Sequence, residues 1–222
     1  LITGGLGFIG TNIAIKLLNE KRVNRCILLD NFGGYINPTR NNFYDYRKKR
    51  LDLISNKIIE RCDTTNFKSV SNVINKYKPV LIYHTAALPV AKLDNINSDE
   101  ARLGSVDSTI NIIDSIDLLQ NSKKNYKCER FIYISSSMVY GDFQTNTVNE
   151  NSPKNPKDIY GIMKLAGEIV TEGVCKLKKV PFTIIRPSAL YGATDMNRRV
   201  SQIFIENAFT NKEIIIEGKN EK

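Results

Sequence analysis

The chain has 222 residues, 41% of them apolar and 25% charged, with a net charge of +9. This is enough for one domain, or one and a fraction, in an ordinary soluble composition. No run approaches the ~20 apolar residues of a membrane span, no charged-then-apolar leader opens the chain, and the basic residues are dispersed apart from Tyr46-Arg47-Lys48-Lys49-Arg50. A solvated basic surface is therefore expected, with neither a membrane nor a nucleic acid as partner, and the cytoplasm as compartment.

In chain order, the first element is a strand stub, Leu1-Ile2, running into TGGLGFIG at 3–10. Ile9, Ile13 and Leu17, with Ala14 and Leu18, form a helical stripe after it. CILLD (26–30) is a strand, and residues 31–56 follow as a long polar and aromatic connection. KIIERCD (57–63) is a strand, then Phe67, Val70, Ile74 and Tyr77 mark a helix over 64–77. VLIYHTA (80–86) is a strand, followed by a helix carrying Leu103, Val106, Ile110 and Ile113. RFIYISS (130–136) is a strand, 141–158 a loop with two prolines, 158–178 a helix and FTIIR (182–186) a strand. The strands are near-continuous apolar runs, as a parallel sheet covered on both faces requires. Alternation of strand and helix predicts an α/β fold, a doubly wound parallel sheet of the Rossmann kind. The short opening stub and the tail EIIIEGKNEK, which begins a strand and stops, predict a segment of a longer chain. Cys26, Cys62, Cys128 and Cys175 are scattered, without a C-x-x-C pair and with one histidine in the chain. They read as buried or free thiols, and no metal site is expected.

Gly4, Gly7 and Gly10 give G-x-x-G-x-x-G between the first strand and the first helix. Glycine there lets the backbone approach a bound pyrophosphate whose charge sits at the helix N-terminus; a plain tight turn is the alternative. Asp30 follows Gly10 by 20 residues, at the end of the second strand. A carboxylate in that place accepts from ribose hydroxyls and repels a 2′-phosphate, which favours NAD over NADP. Asp63 ends the third strand and either meets an adenine amino group or caps the helix that follows. Ser135-Ser136-Ser137-Met138-Val139-Tyr140-Gly141 follows a strand end, where open α/β sheets bind ligands. Tyr160 and Lys164 stand four apart on one helix face. A phenol has a reference pKa of about 10, and a neighbouring ammonium favours its phenolate as a base. A helix surface pair is the plainer reading of that spacing.

Taken together, TGGLGFIG, LLDN (28–31), RCD (61–63), YHTAA (83–87), SSSMVYGD (135–142), YGIMK (160–164) and IIRPSALYG (184–192) resemble the extended short-chain dehydrogenase/reductases. Within them the likeness is to NAD-dependent nucleotide-sugar epimerases and dehydratases of the UDP-glucose 4-epimerase-like kind. The resemblance implies that Gly4, Gly7, Phe8 and Ile9 cradle the pyrophosphate of NAD. Asp30 and Asn31 hold the adenosine ribose, Asp63 and Thr64 flank the adenine, and Ala86 and Ala87 line the cofactor by backbone. It makes Ser136 the catalytic hydroxyl, Tyr160 the base, Lys164 the ligand of the nicotinamide ribose and His84 structural. It implies residues 1–186 as the NAD-binding domain and 187–222 as the start of a substrate-binding region. It also implies a homodimer packed through helices at about 99–119 and 158–178. The isoleucines Ile110, Ile112, Ile113 and Ile116 exceed what one buried face needs, unless they are covered within their own subunit.

Departures from the family pattern narrow the reaction. Dehydratases of the family place Glu, sometimes Asp-Glu, after the catalytic hydroxyl, where this chain has Ser137 and Met138. Neither can protonate a leaving hydroxyl, so an epimerase of a nucleotide-diphosphate sugar is expected ahead of a dehydratase, dehydrogenase or reductase. A non-catalytic NAD-binding module would need the glycine loop but not Ser136, Tyr160 and Lys164. Pro89, Ala189 and Gly104-Ser105 stand where the family carries Lys and Asn residues, which leaves the sugar open. Arg198 and Arg199 either meet the substrate diphosphate or form a solvated basic turn.

Overall fold

A computed structural model describes residues 1–33, 43–87, 98–195 and 200–215. Six parallel strands form one sheet in the order β3-β2-β1-β4-β5-β6. They are β1 (Ile2–Thr3), β2 (Cys26–Asp30), β3 (Lys57–Arg61), β4 (Leu81–His84), β5 (Arg130–Ile134) and β6 (Phe182–Ile185). The order reverses at β1, which pairs with β2 on one side and β4 on the other. This is the doubly wound sheet expected from the sequence.

Residues of β2 alternate between the two faces, as the two-residue period of a strand dictates. Ile27 and Leu29 pack in one core cluster and Cys26 and Leu28 in another. The first cluster lies under α3 (Phe67–Tyr77), α5 (Ser108–Ser122) and α6 (Ile159–Leu177), and is filled by Val70, Ile74, Ile112, Ile113, Ile116, Phe131, Tyr133 and Cys175. The second lies under α1 (Phe8–Asn19) and holds Ile2, Leu6, Ala14 and Ile54. All four cysteines are free and buried, as expected. Among the described residues no helix is long and apolar enough to cross a membrane.

Several expectations are corrected. The connection 31–56 contains a helix, α2 (Phe43–Asp52). Arg50, in the run read as solvated surface, is buried and donates from Nη2 to the Leu6 carbonyl at 3.2 Å. The helix placed at 64–77 begins at Phe67, because Asn66, not Asp63, caps it by accepting from the Ser69 amide at 2.9 Å. The helix through Leu103 is broken into α4 (Ser98–Arg102), a π-helical turn (Leu103–Asp107) and α5. The wider turn shifts the stripe, so Leu103 is exposed while Ser105, Ser108 and Thr109 are buried. Ile112, Ile113 and Ile116 are covered within their own subunit, so they supply no surplus surface for a dimer. No strand forms over 213–215, the described part of the tail.

The chain divides into two compact units, Leu1–Ser188 and Ala189–Lys222. The first contains the whole sheet; the second contains α7 (Val200–Phe209).

Burial decides which residues of α3 hold the fold. Ile74 is fully buried, whereas Phe67 is 43% exposed despite standing in the same predicted stripe. Ile74→Ala should destabilise the protein by about 2–5 kcal/mol and Phe67→Ala by less than about 1 kcal/mol. Urea unfolding of both variants checks this ranking.

Candidate active site

Strand-order reversal opens a crevice between the carboxyl ends of β1 and β4. The glycine loop leaves β1 there. Gly4 has φ +62°, and a Cβ on it would lie 2.9 Å from the backbone of Ala86. A Cβ on Gly10 would lie 2.5 Å from the Gly4 carbonyl. The loop thus folds against both its own helix and the end of β4, closer than any other residue allows. Gly7 is the N-cap of α1 and supplies no side-chain hydrogen bond to it. The first-turn amides of α1, at Phe8 and Ile9, lack a side-chain acceptor from this cap, at the positive end of a 12-residue helix. An anionic phosphate fits that cradle.

Asp30 sits across the loop. Its Oδ2 accepts from the Leu6 amide at 3.1 Å and its Oδ1 from the Phe32 amide at 2.9 Å. A carboxylate has about four acceptor positions, so acceptor capacity remains for ribose hydroxyls. Asn31 donates to Asp63 Oδ2 at 3.3 Å. Asp63 Oδ1 accepts from the Thr65 amide at 2.8 Å and hydroxyl at 2.7 Å. Burial acts to raise the Asp63 carboxyl, but the bonds from Thr65 and Asn31 outweigh it and hold it below its ordinary value. Thr64 is buried beside it, its carbonyl accepting from Asn111 Nδ2 at 3.0 Å. Ala86 donates its amide to Thr3 Oγ1 at 3.2 Å, and Ala87 follows it at the same edge. Ten of the twelve residues expected at the cofactor therefore lie together at the carboxyl edge of β1–β4; the other two, Tyr160 and Lys164, are on α6. Asp30 and the helix N-terminus are chemically complementary to a diphosphate dinucleoside without a 2′-phosphate.

The second half of the site leaves β5. Ser136 caps a 3₁₀ turn (Ser137–Tyr140), accepting from the Met138 amide at 3.2 Å. That bond occupies a lone pair of Oγ and leaves its proton free to donate. Asp158 caps α6 by accepting from the Gly161 amide at 2.6 Å. Tyr160 is half-buried in the first turn, and Lys164 one turn further is buried. Lys164 Nζ donates to the Ile134 carbonyl at 2.8 Å, and lies 5.9 Å from the Tyr160 ring centre and 5.3 Å from that of Tyr133. Burial pushes its pKa down to about 8, with Glu168 opposing the fall. At neutral pH the ammonium is still mostly charged.

His84 is structural, and the structure shows how. Thr3 Oγ1 lies 2.7 Å from Nδ1 and Ser108 Oγ 3.3 Å from Nε2. The Ser108 hydroxyl already donates to the Gly104 carbonyl at 2.8 Å, so Nε2 carries the proton and Nδ1 accepts from Thr3. Burial first, and then the charge of Lys164, lower the His84 pKa to about 3. The chain Ala86–Thr3–His84–Ser108–Gly104 ties β1, β4 and the π-turn together with every polar atom in use.

Sequence reading missed Arg50, Glu168 and Arg186. Glu168 carries a faint signal, standing four residues after Lys164 on the same face; Arg50 and Arg186 carry none, since their partners are remote in sequence. Arg198 and Arg199, and Pro89 among the departures, lie outside the described residues.

A model of the NAD dependent epimerase/dehydratase family matches residues 1–222. The chain belongs to that family. A dTDP-D-glucose 4,6-dehydratase of Dictyostelium discoideum is 29% identical over 98% of this chain and 50% of its own length. A Methanocaldococcus jannaschii protein assigned as a UDP-glucose 4-epimerase is 30% identical over 98% of this chain and 65% of its own length. Among solved structures, the UDP-glucuronic acid 4-epimerase of Bacillus cereus, in complex with UDP-glucuronic acid and NAD, superposes with a TM-score of 0.79. It is 25% identical, over 98% of this chain and 65% of its own. The chain thus spans half to two-thirds of the length of these family members. The family is NAD-dependent, and the crevice described above fits that cofactor.

The buried neutral His84 makes a measurable prediction. Between pH 6.5 and pH 3 the unfolded chain binds a proton at His84 that the native state refuses, so stability should fall as pH falls through that window. His84→Gln should flatten the fall by up to about 1.4 kcal/mol per pH unit. Unfolding free energy measured against pH for both proteins checks it; parallel curves would contradict a neutral His84.

Proposed function

We propose that this chain is the cofactor-binding part of an NAD-dependent nucleotide-sugar epimerase. Residues 1–186 are the NAD-binding domain and 187–222 the start of the substrate-binding region. The observation that carries the choice of epimerase is at the turn after Ser136. Ser137 and Met138 line a cavity of about 310 Å³ there, and neither is an acid. The carboxylate that does line it, Asp142, is exposed and lies 3.3 Å from Lys157 Nζ. Elimination of water needs a positioned proton donor for the leaving hydroxyl, and this turn offers none.

Gly4, Gly7, Phe8 and Ile9 hold the pyrophosphate, Asp30 and Asn31 the ribose, Asp63 and Thr64 the adenine, and Ala86 and Ala87 flank the cofactor. When bound, NAD would supply the hydride acceptor and donor that epimerisation of a sugar carbon requires. Tyr160 takes the proton of the reacting hydroxyl and gives it back. Lys164 lowers the energy of the phenolate through its buried positive charge and keeps further N–H donors for the nicotinamide ribose. Ser136 donates its free hydroxyl proton to the sugar oxygen. Arg198 and Arg199 are proposed ligands of the substrate diphosphate. The same chemistry without return of hydride would make a dehydrogenase, and with loss of water a dehydratase, as in the Dictyostelium relative.

The proposed partner is a second copy of the chain. Ile162, Ile169 and Leu177 of α6 are exposed at spacings of seven and eight residues, which places them along one helix face, and Leu118 of the neighbouring α5 is exposed as well. The proposed compartment is the cytoplasm, which the four free buried thiols suit.

The full-length protein incubated with NAD and a panel of UDP-, dTDP-, CDP- and GDP-sugars should give a product of unchanged mass and new sugar proton signals. Loss of one water would make it a dehydratase. Tyr160→Phe should lower turnover about 10²–10⁴-fold while retaining NAD. In sedimentation, Ile169→Glu should convert a dimer to a monomer; a wild-type monomer would refute the dimer.

A further inference from the structure

Glu168 is buried, 4% exposed, and no step of the proposed reaction uses it. A lone carboxylate in that place would be strongly disfavoured. Arg186 compensates it with two parallel bonds, Nε to Oε1 at 2.7 Å and Nη2 to Oε2 at 2.8 Å. Oε1 also accepts from the Ser135 hydroxyl at 2.5 Å. The remaining arm of Arg186, Nη1, donates to Tyr140 Oη at 2.9 Å and to the Glu150 carbonyl at 3.1 Å. One ion pair therefore grips Ser135 and Tyr140, which bracket Ser136.

The placement of Glu168 adds meaning to those contacts. Tyr160, Lys164 and Glu168 stand at i, i+4 and i+8 on α6, along one face of the helix. The helix that carries the phenol and the ammonium is thus fastened to the turn that carries the hydroxyl. An apolar pair would pack as well and is often no less stable, but it could not fix a hydroxyl and a phenol in place. We infer that Glu168, through Arg186, is a positioning residue that sets Ser136 against Tyr160 and Lys164. This rests on reading those three as the reacting groups.

Two variants test it. Glu168→Gln keeps the shape but removes the charge and opposes an amide N–H to the guanidinium. Ser135→Ala removes one grip and leaves the ion pair intact. Hydrogen exchange, read on the full-length protein without substrate, should accelerate about tenfold at the Ser137, Val139 and Gly141 amides in Glu168→Gln. Ser135→Ala should accelerate the same amides less, and the β2 amides should not change in either variant. Exchange that is unchanged at the turn, or raised uniformly, overturns the inference. If Glu168→Gln does not fold, Ser135→Ala decides by the same readout.

The pH profile of turnover gives a second reading. Around Lys164 stand Tyr160 and Glu168 on its helix, Tyr133 on β5, His84 on β4 and Arg186 behind Glu168; the Arg102–Asp107 pair, which joins the end of α4 to the end of the packed π-turn, is partly exposed to solvent. Glu168→Gln removes the one negative charge among them and leaves Arg186 uncompensated. The alkaline limb should move to lower pH by roughly one unit, and Ser135→Ala should leave it in place. An unmoved limb in Glu168→Gln overturns the inference. A wild-type protein that converts no nucleotide sugar would refute the proposed function instead, and hydrogen exchange would still decide the grip.

Discussion

The ammonium of Lys164 is carried into the protein interior, and much of the site is arranged around the cost of putting it there. Burial alone favours its neutral form, and its pKa does fall to about 8. It stays charged at neutral pH because compensation reaches it from several directions. The Ile134 carbonyl accepts a bond from it, the rings of Tyr133 and Tyr160 lie within 6 Å, and Glu168 supplies a negative charge one turn away. The nearby His84 is kept neutral by its burial and by the charge of Lys164 itself, so it adds no competing positive charge. A cation held this way is available to a phenol and unavailable to bulk water.

The opposite half of the crevice solves a complementary problem with no cation in the glycine loop itself. Backbone amides at the start of α1 take the place of side chains, which is why Gly4 and Gly10 must be small: their Cβ atoms would fill the space where loop, helix and β4 meet. Arg50 stabilises this loop from α2 by bonding the Leu6 carbonyl. Asp30 then braces the loop at the Leu6 amide while presenting its remaining acceptor positions outward. One carboxylate serves both the fold and the site, so its replacement would disturb both.

What could be read from the sequence was what is local. Strands announced themselves by short apolar runs, the glycine loop by spacing, and Tyr160–Lys164 by one helical turn. The π-turn at Leu103–Asp107 has no comparable signature, so of the stripe Leu103, Val106, Ile110 and Ile113 the sequence places Leu103 wrongly: it is exposed, while Ile113 is fully buried. The cap of α3 went to Asn66 because Asp63 was already satisfied by Thr65 and Asn31, a competition that only the fold reveals. Helix α2 was hidden by its charge: few apolar residues mark a stripe in FYDYRKKRLD. The Glu168–Arg186 pair was illegible for a different reason. Its members belong to successive elements, and nothing in either element says that their ends converge on the turn after β5.

That convergence bears on how one frame supports both reactions found in the family. Oxidation and return of hydride need a cofactor crevice, a base and a fixed hydroxyl, all of which come from the sheet's carboxyl edge and α6. Elimination needs one more group, an acid aimed at a neighbouring carbon, and the turn after Ser136 is where it would have to stand. In this chain Glu168 and Arg186 hold that turn from behind, through Ser135 and Tyr140, while Ser137 and Met138 line the cavity and take no part in those contacts. On the proposed reading, the frame positions the groups of the redox step, and the side chains at Ser137 and Met138, which take no part in the Glu168–Arg186 contacts, are where an epimerase and a dehydratase would differ.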